Sequence, residues 1–171
     1  MNALRWGTIA LLFVTCGCGY TVVHYDEQGR GLSRVSIKTL TNDTAEPGVE
    51  MLVTEALRRE FLARGGVRLV SNPEQADLVI RGRVPNIDTR VRSFSDVVLA
   101  LEYELTLRIS LRLEAPDGRK LAVERLSLQD TEVYLSSADL EVGRKNRKEA
   151  LRRVAQLLAS RAHDALERVL Q

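Results

Sequence analysis

The chain has little of what most enzymes need. Its 171 residues contain two cysteines, Cys16 and Cys18, and two histidines, His24 and His163. That is too few for a disulfide framework or a structural zinc site. In the sequence neither histidine has cysteine or acidic partners at metal-ligand spacing. No glycine-rich loop resembles a phosphate cradle, and no serine stands in a nucleophile motif. Glu102 and Glu104 share one face of a strand, but a solvated polar face is the ordinary meaning of that pattern. These absences argue against an enzyme and imply no metal and no cofactor. An excess of one charge is missing too: 25 Lys and Arg stand against 23 Asp and Glu. Near-balance gives no general case for a nucleic-acid partner. Long apolar runs are also absent, the most apolar stretch being Trp6 to Val14, interrupted by Gly7 and Thr8. A membrane-spanning helix needs roughly 20 such residues.

What that short stretch does resemble is a secretory signal. Arg5 supplies a positive start, the apolar run follows, and small residues precede a cut. Gly17 before Cys18 suits a lipoprotein cut, after which the cysteine becomes the N-terminus and carries acyl chains. Thr15 is less usual three residues before that cysteine. The alternative is an ordinary secretory signal with incidental cysteines. Removal at Gly17 discards Cys16 and leaves one thiol, so no internal disulfide can form. Gly19 after Cys18, in place of aspartate, favours the outer membrane. The expectation is therefore a signal peptide over 1–17, Cys18 as the lipidation site, and one periplasmic domain over 18–171. About 150 residues can bury roughly 70% of their chain surface, enough for one core.

Within that domain, Arg34 to Leu40 alternates and predicts a strand with one buried face. Thr41 to Thr44 reads as a turn, and Pro47 and Gly48 lead into a helix. Leu52, Val53, Ala56, Leu57 and Phe61 follow helical spacing, and Gly65 and Gly66 end it. Val67 to Val70 is a short apolar segment, and Asn72-Pro73 another turn. Leu78 to Arg92 predicts a second long strand, with Gly82 and Pro85 marking a bend or bulge. From Val97 to Leu113 every odd position is apolar. Only a long strand with one buried face accounts for that, spanning roughly 50 Å at about 3.3 Å per residue. Pro116, Asp117 and Gly118 make a hairpin turn. The return strand, Leu121 to Tyr134, shifts phase near Glu124 and Arg125, as a β-bulge would. A closing helix, Asp139 to Leu170, carries the stripe Leu151, Val154, Ala155, Leu158, Ala162, Ala165, Leu166 and Val169. Together these predict an α/β two-layer sandwich, two helices on one face of a mixed sheet of about four strands. The first strand–helix–strand unit is expected to cross over right-handed.

The last helix begins in a basic cluster. At 100° per residue, Arg144, Arg147 and Lys148 fall within about 60° of the line through Leu151, Val154 and Leu158. Lys145 adds to the same neighbourhood. Positive charge at a helix start opposes the dipole, at tenths of a kcal/mol per residue. One reading is a solvated turn protruding beyond the sheet. The other is an anion-binding edge for a phosphorylated ligand or acidic surface, which Arg90 and Arg92 would extend if the strand end meets the helix start. Arginine suits phosphate because its fork binds two oxygens at once.

Several segments, taken in order, resemble one family. They are Cys18-Gly19-Tyr20 after the signal, "VSIKTLTNDTAEPGVEMLVTEALRREF", "ADLVIRGRV", the strand pair "LEYELTLRISLRLEAPDGRKL" and the helix "NRKEALRRVAQLLASRAHDALERVL". They are similar to LptE, the lipopolysaccharide-assembly lipoprotein, over nearly the whole chain. The resemblance implies two helices on a mixed sheet, tethered to the outer membrane on the periplasmic side or within a barrel lumen. It implies an LptD-like β-barrel as partner, plugged and helped to assemble, and lipopolysaccharide as ligand. Family basic residues contacting that ligand correspond best to Arg144 or Lys145. A second family position, before the long strand, meets Phe94, Ser95 and Asp96 here, with Arg90 and Arg92 nearby. The rival is a structural lipoprotein of another periplasmic or secretion complex. The N-terminal domains of TolB or CsgG-type proteins also begin with a strand, an N-D-T turn and a helix.

Overall fold

The computed structural model describes residues 34–94, 100–117 and 125–170. The signal segment, Cys18, His24, Val97, Leu99, Gly118 and the supposed start of the return strand at Leu121 to Glu124 lie outside them. The described chain runs β1 (Arg34–Ile37), β2 (Thr41–Asn42), α1 (Val49–Arg64), β3 (Arg68–Leu69), a 3-10 turn (Pro73–Gln75), β4 (Leu78–Phe94), β5 (Ala100–Glu114), β6 (Leu126–Leu135) and α2 (Leu140–Leu170).

These form one mixed sheet in the order β3-β1-β4-β5-β6, with β2 also paired to β4. β1 lies parallel to both β3 and β4, whereas β4, β5 and β6 pair antiparallel. The four longer strands are those the alternation marks. The two additions are two residues each, too short for periodicity to reveal. Thr41 and Asn42 correct the turn assigned there: they pair with Arg83 and Val84 before the chain turns. That turn is closed by Asn42 Oδ1, which accepts from Thr44 N at 2.9 Å. β1 is also shorter than its alternation suggests, because the chain leaves the sheet after Ile37 to reach β2.

The alternation of β5 translates directly into burial. Leu105, Leu107, Ile109, Leu111 and Leu113 are all buried, facing both helices. Val53, Ala56, Leu57 and Phe61 of α1 meet them, as do Leu151, Val154, Ala155, Leu158, Ala162 and Leu166 of α2. Each buried large aliphatic side chain contributes about 1.5–3 kcal/mol. β4 carries its bulge between Arg83 and Asn86, at Val84 and Pro85. A proline there gives up no ladder hydrogen bond. Gly82 is required for another reason: a Cβ would stand 2.7 Å from Leu111 Cδ2 and 2.9 Å from the Ser110 carbonyl oxygen.

β6 is the outer strand on its side of the sheet, and α2 guards its edge. Asn146 Nδ2 donates to the Leu135 carbonyl at 3.0 Å, and the Arg153 and Arg161 guanidinia donate to the Val133 and Gln129 carbonyls at 3.4 and 3.3 Å. Arg153 also pairs with Glu132, and Arg161 Nη2 lies 3.1 Å from Asp130 Oδ2, an ion contact without hydrogen-bond alignment. Capping of this kind blunts an edge that could otherwise recruit another strand.

Candidate functional site

The start of α2 meets the ends of β4 and β6 at one end of the sheet. Asp139 caps the helix, its Oδ1 accepting from Glu141 N at 2.8 Å and Val142 N at 3.3 Å. A carboxylate there offsets the basic residues that follow, since it favours the positive end of the helix dipole. Asn146 ties the helix to the last carbonyl of β6. The turn therefore holds its side chains on fixed backbone.

The sequence-derived candidates separate here into two kinds. Arg144, Lys145 and Lys148 are exposed. Arg144 pairs only with its own helix neighbour Glu141, at 3.0 Å, an exposed contact worth tenths of a kcal/mol. Lys145 and Lys148 make no ion pair among the described residues. Arg147 is engaged instead. Its guanidinium donates to Glu46 at 2.6 Å and to Thr89 at 3.1 Å, joining the approach to α1, strand β4 and α2. Burial lowers its pKa, but hydrogen bonds to Glu46 and Tyr134 raise it more, leaving it above the ordinary arginine value. It stays charged at every pH the fold survives. Tyr134 stacks on Tyr103 behind it, with ring centroids 5.4 Å apart.

Arg90 and Arg92 reach the same end of the sheet but not the same face. Thr89, which meets Arg147, faces the helices, so Arg90 faces away from them, opposite Glu104 in the ladder. Arg90 pairs with Asp88 at 2.7 Å, and Arg92 lies 4.0 Å from Glu102. The helix start and these two arginines are thus neighbours around an edge, not one continuous patch.

What the sequence reading missed at this end is apolar. Leu135 is 61% exposed, Leu140 67% and Val142 45%. They belong to the last residue of β6 and the first turn of α2. Leu140 lies one turn before Arg144 and Val142 one turn before Lys145, on different sides of the helix, so aliphatic and cationic side chains alternate around this turn. Val142 could have been noticed, because it lies about 180° from Leu151 at 100° per residue; Leu140 lies within about 20° of Leu151, so phase does not reveal its exposure.

Two other features lie elsewhere. His163 is buried, and its ring meets Phe61 edge-on at 4.9 Å. Asp164 and Glu167 offer ligand atoms within 4.8 Å of it, so acidic neighbours at helical spacing were overlooked. Asp164, however, is held by Arg64 at 2.7 Å. A cavity of about 460 Å³ opens beside the ends of β1 and β3, lined by Lys38, Glu55, Arg58 and Ser71 among others. Arg58 is committed there to Glu55 and to the Ile37 carbonyl. Among the described residues, no helix is long and apolar enough to cross a membrane.

Comparison with known proteins gives a consistent result. The profile of the LptE family, described as lipopolysaccharide-assembly, matches residues 32–166. No curated protein matches the chain significantly. Among solved structures, rare lipoprotein B from Shewanella oneidensis superimposes with a TM-score of 0.56 at 14% identity, covering 80% of this chain and 96% of that one. A minor lipoprotein from Acinetobacter baumannii gives 0.52 at 20% identity, covering 79% and 92%. A putative lipoprotein from Caulobacter crescentus gives 0.52 at 18%, covering 77% and 90%. At these identities the structural likeness speaks to the fold.

Proposed function

The chain belongs to the LptE family of lipopolysaccharide-assembly proteins, and from that premise we propose that it is an outer-membrane lipoprotein acylated on Cys18. In this reading it plugs an LptD-like β-barrel, helps that barrel assemble, and binds lipopolysaccharide on its way to the outer leaflet. The role is one of binding and support; no catalytic step is assigned.

The observation that carries the ligand part is the pairing of charge and grease at the start of α2. Arg144, Lys145 and Lys148 stand exposed in the first turns of α2, where Leu140 and Val142 are also exposed, just after Leu135 at the end of β6. Lipopolysaccharide carries phosphates on sugars that also bear acyl chains, so one ligand presents both chemistries side by side. Cations with no partner, or only an exposed one, can move to a phosphate at little cost. Arg147 supports the site from behind, since its charge is already matched by Glu46. Arg90 and Arg92 would meet the ligand only around the sheet edge.

The test is equilibrium binding of lipopolysaccharide to the mature protein and to an R144S/K145S/K148S variant. Loss of affinity of about tenfold or more is expected, with a flatter salt dependence and an unchanged melting temperature. Wild-type affinity in the variant would return this turn to ordinary solvated surface.

A further inference from the structure

The sheet face turned away from the helices carries a second concentration of positive charge, at the end opposite the start of α2. Arg81 of β4 stands directly across the ladder from Arg112 of β5. Arg125 is the residue immediately before β6, whose first residue, Leu126, pairs with Leu111. Arg81 and Arg112 are thus about 4.5–5.5 Å apart at their Cβ atoms, and Arg125 stands at the entry to the next strand. All three are exposed. In the adjacent rows stand Arg83 with Ser110 and Ser127, then Arg108 with Gln129. No described helix or strand lies over these side chains.

Counter-charge is short. Glu114 pairs with Arg81 at 2.9 Å and Asp43 with Arg83 at 3.3 Å. Among the described residues Arg108 has the Gln129 amide oxygen as its partner, at 2.7 Å. Arg112 and Arg125 make no hydrogen bond or ion pair among the described residues. Among the described residues these five arginines have two carboxylate partners, Glu114 and Asp43. Like charges directly opposite on a sheet oppose folding, and the pair contributes no buried packing in return. A phosphate lodged between Arg81 and Arg112 would relieve that repulsion.

We propose that Arg81, Arg112 and Arg125, with Ser110 and Ser127 beside them, form an anion site that takes phosphate groups and is separate from the start of α2. Phosphate suits these arginines better than carboxylate. It carries more charge and three oxygens, so one group can accept from two neighbouring guanidinium forks, whereas a carboxylate is matched by one. Serine hydroxyls add short donors to the same surface. The glycolipid as source of that phosphate rests on the function proposed above; recognition of phosphate does not.

Binding of three probes to the full mature protein in non-ionic detergent tests the site. The probes are lipopolysaccharide, the same lipid after enzymatic dephosphorylation, and inorganic pyrophosphate. An R81S/R112S/R125S variant is expected to bind phosphorylated lipid about tenfold or more weakly. It should melt at the wild-type temperature or up to a few degrees higher, because the repulsion is relieved. Wild type should show no advantage over the variant for the dephosphorylated lipid. Competition by pyrophosphate would support recognition of phosphate as such; arginine-dependent lipid binding without competition would support a site for the headgroup alone. Wild-type affinity in the variant would overturn the site while leaving the α2 start as the ligand surface. Loss confined to capture of an acidic protein would overturn it in favour of a protein contact. If wild type binds none of the probes the site is refuted, and the barrel partnership stands or falls on its own test.

Discussion

Replacing Arg147 by methionine separates a strut from a ligand contact. Methionine keeps much of the aliphatic stem and removes only the guanidinium that bridges Glu46 at 2.6 Å and Thr89 at 3.1 Å. The Arg147 and Glu46 side chains are 30% and 29% exposed. Fully exposed pairs are worth about 0.2–1 kcal/mol, whereas breaking a fully buried pair costs about 3–5 kcal/mol. A pair about one-third exposed falls between, near 1–2 kcal/mol, because water reaches and partly compensates the abandoned carboxylate. For a domain of this size that is a fall in Tm of about 3–8 °C. Thermal unfolding by circular dichroism measures it, and Glu46→Gln closes the cycle. The double variant should recover about 1 kcal/mol relative to the sum of the single ones. Lipopolysaccharide affinity should change less than threefold. An unchanged Tm together with a collapse of affinity would refute the division of the basic cluster drawn above, and make Arg147 a ligand residue.

Gly82→Ala should destabilise by about 1–3 kcal/mol, because the new methyl meets Leu111 Cδ2 and a backbone oxygen within 3 Å; wild-type denaturant stability would contradict that packing. Asp139→Ala removes the cap of α2 and should cost about 1 kcal/mol, with exchange of the first-turn amides rising first. The R153M/R161M pair uncovers two carbonyls of β6 and should bring concentration-dependent self-association in sedimentation velocity. A variant that stays monomeric at all concentrations would show that the edge needs no guard.

How much of this was readable beforehand depends on the length of each pattern. β5 announces itself because alternation persists over many residues, and one slip in register would expose every leucine. The stripe of α2 from Leu151 to Leu166 is legible for the same reason, at helical period. β2 and β3 are not, since two residues carry no period and owe their pairing to the longer strands beside them. The bulge at Val84 and Pro85 could be anticipated from proline chemistry. The candidate site was half legible. Charge density at Arg144 to Lys148 is visible in one dimension, but its division is not. That Arg147 meets Glu46 depends on a contact across 101 residues of sequence, which no local spacing encodes. The group Arg81, Arg112 and Arg125 was missed for the same reason: each is an ordinary polar residue until strand register sets Arg81 beside Arg112 and brings the start of β6 to the same end of the sheet.

The most direct test of the whole account is to isolate the mature protein from outer membranes under mild detergent and weigh it, intact and in complex, by native mass spectrometry. An N-terminus at Cys18 bearing acyl chains, and a one-to-one complex with a large β-barrel, are the expected result. A free amine on another residue, or a ring of copies of this chain with no barrel, would contradict it.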